Sequence, residues 1–401
     1  MSMKLKKITF ENPLKTYVYL PLSPLKTMVS RFLRHMPVSS SVIGPPKNYL
    51  ATVKEYLAAF TQPAKIYTEV YRGSFLVKPY KRSLDDLNQP GQEEQTREYN
   101  TFLLSLEAGR YSSVHNCVIT AQDKLLSEVS SYPDDGLKHG VFKALKISPV
   151  KKLSGKAFLL TGQGDANYYH WLLQIIPKLH LLKAAGKDIN SFDHILLHRH
   201  DLPFIDFLLK YFEVDQHKLV NLLEHRHIQA DELVVTSPLW KPEPWAVDFL
   251  RSSFLKKNNR KTPARKLFIS RKMAKHRKIL NEEEVQKVLD KYGFEPICLE
   301  EFSLLEQVEL MASAQYVLGP HGAGFSNIVF CPKNATIIEI RAKNHQDYIM
   351  DCFNDLSSII GMDHYLLESE TSTETDVNEG TDDMWVDVTK LEALLHSLNL
   401  K

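Results

Sequence analysis

The sequence predicts an α/β protein built from two facing Rossmann-like domains. From about residue 155 onward, short apolar runs that fit buried strands alternate with helix-length segments. A proline-rich stretch interrupts this alternation once, and the alternation then starts again. Strands that alternate with helices of this length need crossover connections and therefore form parallel sheets. With 401 residues the chain is too long for one ordinary core, which also favours two domains.

The composition is that of a globular protein, with 43% hydrophobic and 24% charged residues. A formal net charge of +2 gives no reason to expect nucleic-acid or membrane-surface binding from global electrostatics. The four cysteines form no CxxC pair, so we expect free thiols rather than a zinc site or a disulfide framework. No stretch has the roughly 18 apolar residues that span a bilayer, and the N-terminus does not resemble a secretory signal. We therefore expect a cytoplasmic protein.

Residues 1–105 carry no motif, and we expect them to form an N-terminal extension packed on the first domain. Within them, residues 83–100 are predicted to be a polar loop, because charged and amide side chains surround a Pro-Gly pair. The first domain is expected over residues 106–237.

In the first domain, residues 156–161 are predicted to form a strand, and Asn167 is predicted to cap the helix that follows. Pro177 lies inside this helical run and should kink or divide it before it stops at Gly186. A second helix is expected after Asp201, which is a plausible cap. The remaining strands of this domain are predicted at residues 194–198, 218–223 and 231–236.

Residues 238–245 contain three prolines and are predicted to be a stiff hinge between the domains. The second domain is expected over residues 238–401. Near its end, residues 368–383 hold seven acidic residues and are predicted to be a solvated acidic loop. A final helix that opens at Thr389 with Glu392 is expected to return towards the N-terminal domain.

The second domain repeats the alternation of strands and helices. Asn281 with Glu284 and Ser303 with Glu306 have the spacing of capping boxes, so each pair is predicted to start a helix. A further helix is expected to open after the turn at residues 322–330. The strands are predicted at residues 265–271, 294–299, 315–319 and 335–341.

A basic run is the first feature that suggests chemistry. From Lys256 to Lys278 there are eleven Lys or Arg residues and no acidic residue. Most of this run fits a solvated face, but Arg271 and Lys272 lie at the end of a predicted strand, at the edge where open α/β sheets bind ligands. A guanidinium can hold a diphosphate through two hydrogen bonds, and an ammonium adds a point charge. Arg271 and Lys272 are therefore predicted to bind phosphate.

A glycine-rich turn in the same domain is the second feature. The stretch LGPHGAGFSNIVF, residues 318–330, joins a strand to a predicted helix. Gly322 and Gly324 allow the backbone to approach a ligand, and a helix N-terminus favours phosphate. His321 can donate to a phosphoryl oxygen or a ribose in either tautomer. The alternative is a turn needed only for packing, with His321 idle, but Arg271 in the same domain favours the phosphate interpretation.

Glu339 lies in the apolar strand TIIEIR, where a buried carboxylate is costly unless it is paired. It is predicted either to accept hydroxyl hydrogen bonds from a ribose or to pair structurally, with Arg341 or with a backbone cap.

Polar and aromatic side chains also crowd a strand-to-helix junction in the first domain. A His or Asp there can act as general base towards a substrate hydroxyl, so His170 and Asp165 are the candidate catalytic residues. The alternative is that His170, beside a tryptophan, is a core residue with a satisfied partner. The other residues predicted on this side are Asn167, Tyr168, Tyr169 and Trp171.

No Asp-x-Asp triplet occurs in the chain, so the sequence offers no basis for a metal held by two carboxylates at a diphosphate. We therefore expect no metal and no cofactor, with Arg, Lys and helix N–H groups neutralising the phosphate charge.

Three of these segments together resemble glycosyltransferase family 61. They are GDANYYHWLLQIIPKL, then KLFISRK about a hundred residues later, then GPHGAGFSNIVFCPKNATIIEI, and the resemblance covers roughly residues 155–365. It implies a GT-B architecture, an inverting displacement and a nucleotide-sugar donor, commonly a UDP-sugar. It also implies that Arg271, His321 and the turn over residues 322–327, including Ala323 and Asn327, face the nucleotide. The NYYHW segment would lie on the acceptor side.

By this resemblance we expect transfer of a sugar to a hydroxyl of an oligosaccharide or glycolipid, in bacterial capsule or lipopolysaccharide synthesis. The enzyme would work in the cytoplasm, with peripheral membrane association at the inner face. The alternatives are a non-catalytic nucleotide-sugar-binding module and a nucleotide-sugar epimerase of similar fold. A nucleic-acid partner is not expected, because no aromatic residues are interleaved with the basic run.

Overall fold

Two β-sheets, each flanked by helices, form the framework of the molecule. The computed structural model describes residues 44–81, 93–255, 264–343, 351–371 and 382–400. Within these ranges the first sheet has ten strands and the second has six. Both sheets contain parallel strands, so the α/β class predicted from the sequence is confirmed.

The first sheet is mixed. Its strands are β1 (Asn48–Leu50), β2 (Tyr67–Val77), β3 (Gln95–Glu107), β4 (Arg110–Ser112), β5 (Cys117–Ile119), β6 (Lys124–Leu126), β7 (Lys151–Leu159), β8 (His194–Leu197), β9 (Leu219–Asn221) and β10 (His227–Thr236). They are arranged in the order β1-β6-β5-β4-β10-β7-β8-β9, and the β2–β3 hairpin pairs with β10 through β3. The strands β10, β7, β8 and β9 are mutually parallel and form the Rossmann-like part of this sheet.

The second sheet is parallel except at one edge. Its strands are β11 (Arg265–Ile269), β12 (Glu295–Ile297), β13 (Ala314–Pro320), β14 (Thr336–Ala342), β15 (Asp363–Thr371) and β16 (Met384–Trp385). The order is β12-β11-β13-β14-β15-β16, and only β16 pairs antiparallel. The predicted acidic loop overlaps β15 and the residues before β16, and its middle, residues 372–381, lies outside the described residues.

Helices cover the sheets. The α-helices are α1 (Val53–Leu57), α2 (Tyr168–His170), α3 (Pro177–Ala184), α4 (Pro203–Tyr211), α5 (Pro244–Phe254), α6 (Glu282–Lys291), α7 (Leu304–Ala312), α8 (Cys352–Ile360) and α9 (Val388–Ser397). A π-helix, Trp171–Ile175, lies between α2 and α3, so the predicted division at Pro177 is confirmed. Short 3-10 helices occur at Pro63–Lys65, Ser127–Val129, Pro133–Lys138, Gly140–Lys143, Ile189–Ser191, Gln216–Lys218, Leu299–Glu301 and Ala323–Phe330.

One continuous core joins the helices between the two sheets. Trp171 of the π-helix, Leu250 of α5 and Phe330 of the last 3-10 helix are all fully buried in it. Arg251 of α5 donates to the carbonyl oxygens of Val329 and Cys331, at 2.6 and 2.7 Å. Helix α5 is therefore tied to the segment that carries the glycine-rich turn. All four cysteines are buried and unpaired, as expected from the sequence.

The N-terminal segment is part of the first sheet rather than a layer packed on it. The boundary expected at residue 105 falls inside β3, and β3 also occupies part of the predicted polar loop, of which residues 83–92 lie outside the described residues. Residues 95–100 were misassigned because this part of β3 is exposed or half-exposed and pairs only with β2, so it lacks apolar alternation. Beyond β2 the chain crosses to the second sheet, where Lys81 exchanges backbone hydrogen bonds with His364 and Leu366.

Two predicted helix caps are wrong, although the helices exist. Helix α4 has no side-chain cap, because its N-cap position is Leu202, whose side chain has no hydrogen-bond acceptor, and Asp201 lies one residue too early. Asn281 precedes α6 as expected, but its amide bonds to the backbone N–H and C=O of Val386 instead of capping the helix. In contrast, the capping box of Ser303 with Glu306 is confirmed.

The last helix does not return to the first domain. Helix α9 packs on α6 in the core of the second sheet, and Lys291 pairs with Glu392 across the two helices at 2.9 Å. Asp387 caps α9 by accepting hydrogen bonds from two N–H groups, so the helix starts before the predicted Thr389. The predicted hinge is also shorter than expected, because Pro244 opens α5 and Trp245 is buried.

Candidate functional site

The carboxyl ends of β11 and β13 meet at one edge of the second sheet, because the two strands pair in parallel. Arg271 lies two residues beyond β11, and Gly322 lies two residues beyond β13. A Cβ added at Gly322 would meet Nη1 of Arg271 and lie 2.8 Å from its Cζ, so the guanidinium lies against the glycine backbone. The φ of Gly322 is 163°, which any residue adopts, so the close approach of Arg271 is what requires glycine here. The structure thus brings Arg271 to the glycine-rich turn.

A second guanidinium lies near the first, and the sequence analysis did not single it out. Arg277 has a left-handed φ of 58°, an uncommon conformation for a bulky residue. Burial lowers the pKa of Arg277, and the charge of Arg271 lowers it further, whereas the Glu339 carboxylate opposes this. Two partly buried like charges repel each other, and an anion near both would relieve that repulsion. The available signal was its place in the acid-free run that follows β11.

His321 is held by a fully buried carboxylate. Its Nδ1 lies 2.5 Å from Oε1 of Glu339, and Glu339 is 0% exposed. Burial would raise the pKa of Glu339, but the Arg341 charge and the His321 contact outweigh burial and place it well below its usual range. An ionised carboxylate only accepts hydrogen bonds, so Nδ1 of His321 carries a proton. Burial also lowers the pKa of His321, so the ring is neutral and its Nε2 is an acceptor. Of the two tautomers left open by the sequence, the structure therefore favours the one with the proton on Nδ1.

The remaining contacts of Glu339 are also to protein. His364 Nε2 lies 3.0 Å from its Oε2, and Arg341 Nη2 lies 3.2 Å from the same oxygen. Arg341 in turn donates to the Tyr80 hydroxyl, which donates to Asp351 at 2.9 Å. Both oxygens of Glu339 are therefore occupied, and the pairing alternative replaces the ribose alternative. Glu339 orients His321.

The other predicted donor residues differ in their access to a ligand. Lys272 is exposed. Ala323 and Gly324 open the Ala323–Phe330 3-10 helix, whose first N–H groups have no partner within the helix. The helix predicted here is present as a 3-10 helix, and its residues 325–330 are all buried. Asn327 is also 0% exposed, so its predicted contact with the nucleotide is wrong.

The buried amide of Asn327 connects helix α2, beside the first sheet, to helix α7, beside the second sheet. Its Oδ1 accepts a hydrogen bond from the Tyr168 hydroxyl at 2.7 Å, and its Nδ2 donates to Gln307 Oε1 at 2.8 Å. Both ends of the amide are thus used inside the protein. Its role is to fix α2 against the 3-10 helix.

On the first sheet, the junction after β7 presents His170. Asn167 caps α2 as predicted, by accepting a hydrogen bond from the N–H of Tyr169 at 2.9 Å. His170 Nδ1 lies 2.7 Å from Gln174 Oε1, and burial lowers the pKa of His170. A Cβ added at Gly164 would lie 2.5 Å from His170 Nε2. Gly164 has a φ of 75°, and its backbone lies close to that nitrogen, where a side chain would collide with the ring.

Asp165 is enclosed by donors. The Thr161 hydroxyl donates to its Oδ2 at 2.5 Å, His198 Nδ1 contacts the same oxygen, and His200 Nε2 lies 3.1 Å from Oδ1. Burial raises the pKa of Asp165, but these contacts, led by His198, outweigh burial and lower it. Asp165 is 9% exposed. A carboxylate stabilised in this way is a weak base, so the geometry favours His170 over Asp165 as the proton acceptor.

The partners of Asp165 were not predicted from the sequence. His198 and His200 follow β8, and buried Lys178 donates to the carbonyl oxygen of Thr161 at 2.6 Å. Burial lowers the pKa of Lys178 to about 8. The His-x-His pair at the end of a strand was the signal available in the sequence.

The aromatic residues of this junction are structural. Trp171 is fully buried and donates its indole N–H to the carbonyl oxygen of Asp165 at 2.6 Å. The Tyr169 ring makes edge contacts with the rings of His170, at 5.1 Å, and Phe353, at 5.8 Å. The Phe353 ring lies 4.9 Å from that of His321. This series of ring contacts connects the two candidate sites.

Comparison with known proteins bears on the same segment. Residues 168–338 match the family model described as Glycosyltransferase 61. The resemblance to glycosyltransferase family 61 is confirmed. The matched segment includes His170, Arg271, His321 and Gly322, and it ends just before Glu339.

A curated relative is the EGF domain-specific O-linked N-acetylglucosamine transferase of Drosophila melanogaster. The two are 31% identical over 108 residues, which are 25% of this chain and 20% of the relative. The chain thus spans about a fifth of the length of the relative that it matches. Family and relative together support a glycosyltransferase, and such an enzyme implies a sugar donor and an acceptor.

The helices and the metal-ligating side chains of the described residues bear on membrane and metal partners. None of the helices in the described ranges has both the length and the apolar content that crossing a membrane requires. Over the same ranges, no three His, Cys, Asp or Glu side chains are grouped in a way that could hold a metal ion. Metal independence of the transfer stays a prediction.

Proposed function

We propose that this protein transfers a sugar from a nucleotide donor, UDP-linked, to a hydroxyl of a glycan acceptor. The observation that carries the proposal is the pair of guanidiniums at the glycine-rich turn. Arg271 lies against Gly322 and near Arg277, at the sheet edge where open α/β folds bind nucleotides. A diphosphate placed there would receive hydrogen bonds from the guanidiniums and from the first N–H groups of the 3-10 helix.

In this proposal His321 binds a hydroxyl group rather than a phosphate. Its Nδ1–H is directed to Glu339, and its ring is neutral, so Nε2 accepts a hydrogen bond rather than donating one. A ribose or sugar hydroxyl is the donor that suits this nitrogen. The Glu339 network, which reaches Tyr80 from the N-terminal segment, holds the ring in place.

In this proposal, His170 of the first sheet acts on the acceptor while the glycine-rich turn of the second sheet holds the donor. His170 removes the proton from the acceptor hydroxyl, whose oxygen then attacks the anomeric carbon from the face opposite the nucleotide. The bond from that carbon to the diphosphate oxygen breaks, and the charge that develops there is met by Arg271 and Arg277. This displacement inverts the anomeric configuration. It requires no metal ion.

The proposal also includes the architecture and setting. The two sheets would act as the halves of a GT-B enzyme, and closure across residues 238–243 would exclude water and suppress donor hydrolysis. A bacterial capsule or lipopolysaccharide glycan is the acceptor that we propose, with synthesis in the cytoplasm at the inner face of the membrane.

The test is a thermal-shift panel of nucleotide sugars, each with Mg²⁺ and with EDTA, followed by a transfer assay that measures released nucleotide. We expect UDP-sugars to raise the unfolding temperature equally in both conditions and UDP to be released only when an acceptor is added. Donor binding without release for any acceptor would indicate a non-catalytic module. Interconversion of donor sugars without an acceptor would indicate an epimerase. Stabilisation only with Mg²⁺ would refute metal independence.

A further inference from the structure

The tautomer of His170 can be deduced from a chain of two hydrogen bonds. Gln174 Nε2 lies 3.1 Å from the carbonyl oxygen of Trp240. A carbonyl oxygen only accepts, so the amide nitrogen of Gln174 must face Trp240, and its Oε1 must face His170. The 2.7 Å contact between Oε1 and His170 Nδ1 then requires a proton on Nδ1. With the ring neutral, the lone pair is on Nε2, the nitrogen next to the Gly164 backbone.

The backbone between α2 and α3 contributes to this arrangement. Gln174 lies in the Trp171–Ile175 π-helix, four residues after His170. A π-helical segment changes the direction of side chains relative to an α-helix and is frequent at functional sites. The neighbours of Gln174 in this segment, including Trp171 and Ile175, are fully buried, so the segment cannot rotate freely. Gln174 is thereby fixed at both its backbone and its amide.

We propose that Gln174 is a positioning residue that fixes His170 as the Nδ1–H tautomer, and that the 238–243 connection holds Gln174 in the required orientation through the Trp240 carbonyl. The tautomer follows from the hydrogen bonds alone, and only its effect on catalysis rests on the proposed function. Residues 238–243 connect β10 to α5. The basic nitrogen of His170 is therefore set by the same segment across which closure is proposed. Displacement of Trp240 would release Gln174 and with it the tautomer.

The groups that face His170 agree with this role. The Tyr169 ring packs on it edge to face, Gly164 lies beside Nε2, and the Asp165 charge raises its pKa against the larger, lowering effect of burial. None of these groups determines which ring nitrogen carries the proton. Gln174 is the side chain in hydrogen-bond contact with Nδ1.

The experiment compares Gln174→Leu, Gln174→Glu and Gln163→Leu in the full chain labelled with ¹⁵N-histidine. Gln163 is a matched control, because it lines the same small cavity as Gln174 but bonds to the Tyr132 hydroxyl, at 3.0 Å. The His170 signals are identified by their loss in His170→Gln. We expect the Nδ1–H pattern in the wild type and in Gln163→Leu, and a shift towards Nε2–H in Gln174→Leu. Gln174→Glu should keep Nδ1–H and raise the pKa of His170 by about one unit, because a carboxylate favours the imidazolium.

The kinetic arm separates this inference from the proposed function. With an active donor and acceptor pair, Gln174→Leu should lower kcat/KM by roughly 10-fold or more while the KM for donor stays unchanged. Gln174→Glu should move the acid limb of the pH profile upward by the same shift seen by NMR. An Nε2–H pattern in the wild type, or an unchanged pattern in folded Gln174→Leu, overturns the inference. If no transfer is found with any pair, the proposed function fails, and the NMR result still decides the tautomer.

Discussion

The substitution Gly322→Ala tests the central contact of the donor site with a single methyl group. Gly322 has an extended backbone with φ of 163°, so alanine introduces no backbone strain. The new Cβ would collide with Nη1 of Arg271, which has to move by about 1.2 Å to restore ordinary contact. The methyl group therefore displaces the Arg271 guanidinium from the glycine-rich turn.

The size of the effect follows from what Arg271 would lose. A hydrogen bond between a charged donor and phosphate contributes about 1.5–3 kcal/mol, and a displaced guanidinium loses at least one of them. We expect a weakening of UDP binding by about 2 kcal/mol, which is roughly 30-fold in Kd. The unfolding temperature should change little, because Arg271 is partly exposed and can turn away.

Calorimetric titration with UDP measures this directly, with Gly324→Ala as the matched control. Gly324 lies in the same turn, but its added Cβ would meet only the terminal Cδ1 of Leu299, at 2.8 Å, which is the movable end of a side chain. We expect this control to bind UDP within a few-fold of the wild type. Equal binding by Gly322→Ala, Gly324→Ala and wild type would refute the assignment of the diphosphate to this turn.

Three further predictions concern catalysis and stability. Arg271→Ala should lower kcat/KM at least 100-fold, about 2.7 kcal/mol, and an unchanged value would remove that residue from the mechanism. The control Arg265→Ala removes an exposed ion pair at the start of β11, the strand before Arg271, and should have little effect. Burial lowers the pKa of His227 to about 4, so the unfolded chain binds the proton more tightly, and about 3 kcal/mol of stability should be lost as the pH falls from 6.5 to 4. In denaturant titrations, the free energy of unfolding of His227→Gln should depend less on pH than that of the wild type, and an equal pH dependence would contradict the assignment. Tyr168→Phe removes a hydrogen-bond partner of buried Asn327 and should lower the free energy of unfolding by about 1–2 kcal/mol in urea titrations. An unchanged urea midpoint would disprove this.

Local patterns explain why the parallel sheets and several helix starts could be predicted. The capping box at Ser303, the cap at Asn167 and the division at Pro177 depend on contacts within a few residues, and the structure has all three. The candidate site was predictable to the extent that it lies at strand ends. Arg271 and His321 follow paired parallel strands, so their proximity is a consequence of topology.

The errors have a common origin in long-range contacts. Asn281 has the spacing of a capping residue, yet its amide bonds to Val386, 105 residues away in the chain. Asn327 looks like a ligand-facing residue of a turn, yet it binds Tyr168 in the other half of the molecule. A side chain with several available partners chooses among them in three dimensions, and spacing along the chain does not encode that choice.

The amino-acid sequence by itself determined the α/β class, the order of most strands and helices, and the segments that would carry the chemistry. Hydrophobic periodicity and glycine placement act locally, so one sequence is enough to reveal them. Only the tertiary structure decided the protonation states and the roles of individual residues: Glu339 as the partner of His321, Asp165 enclosed by Thr161 and two histidines, and Gln174 between His170 and the Trp240 carbonyl. Burial and hydrogen-bond partners set the pKa and tautomer of a side chain, and both arise from residues that are brought together by folding.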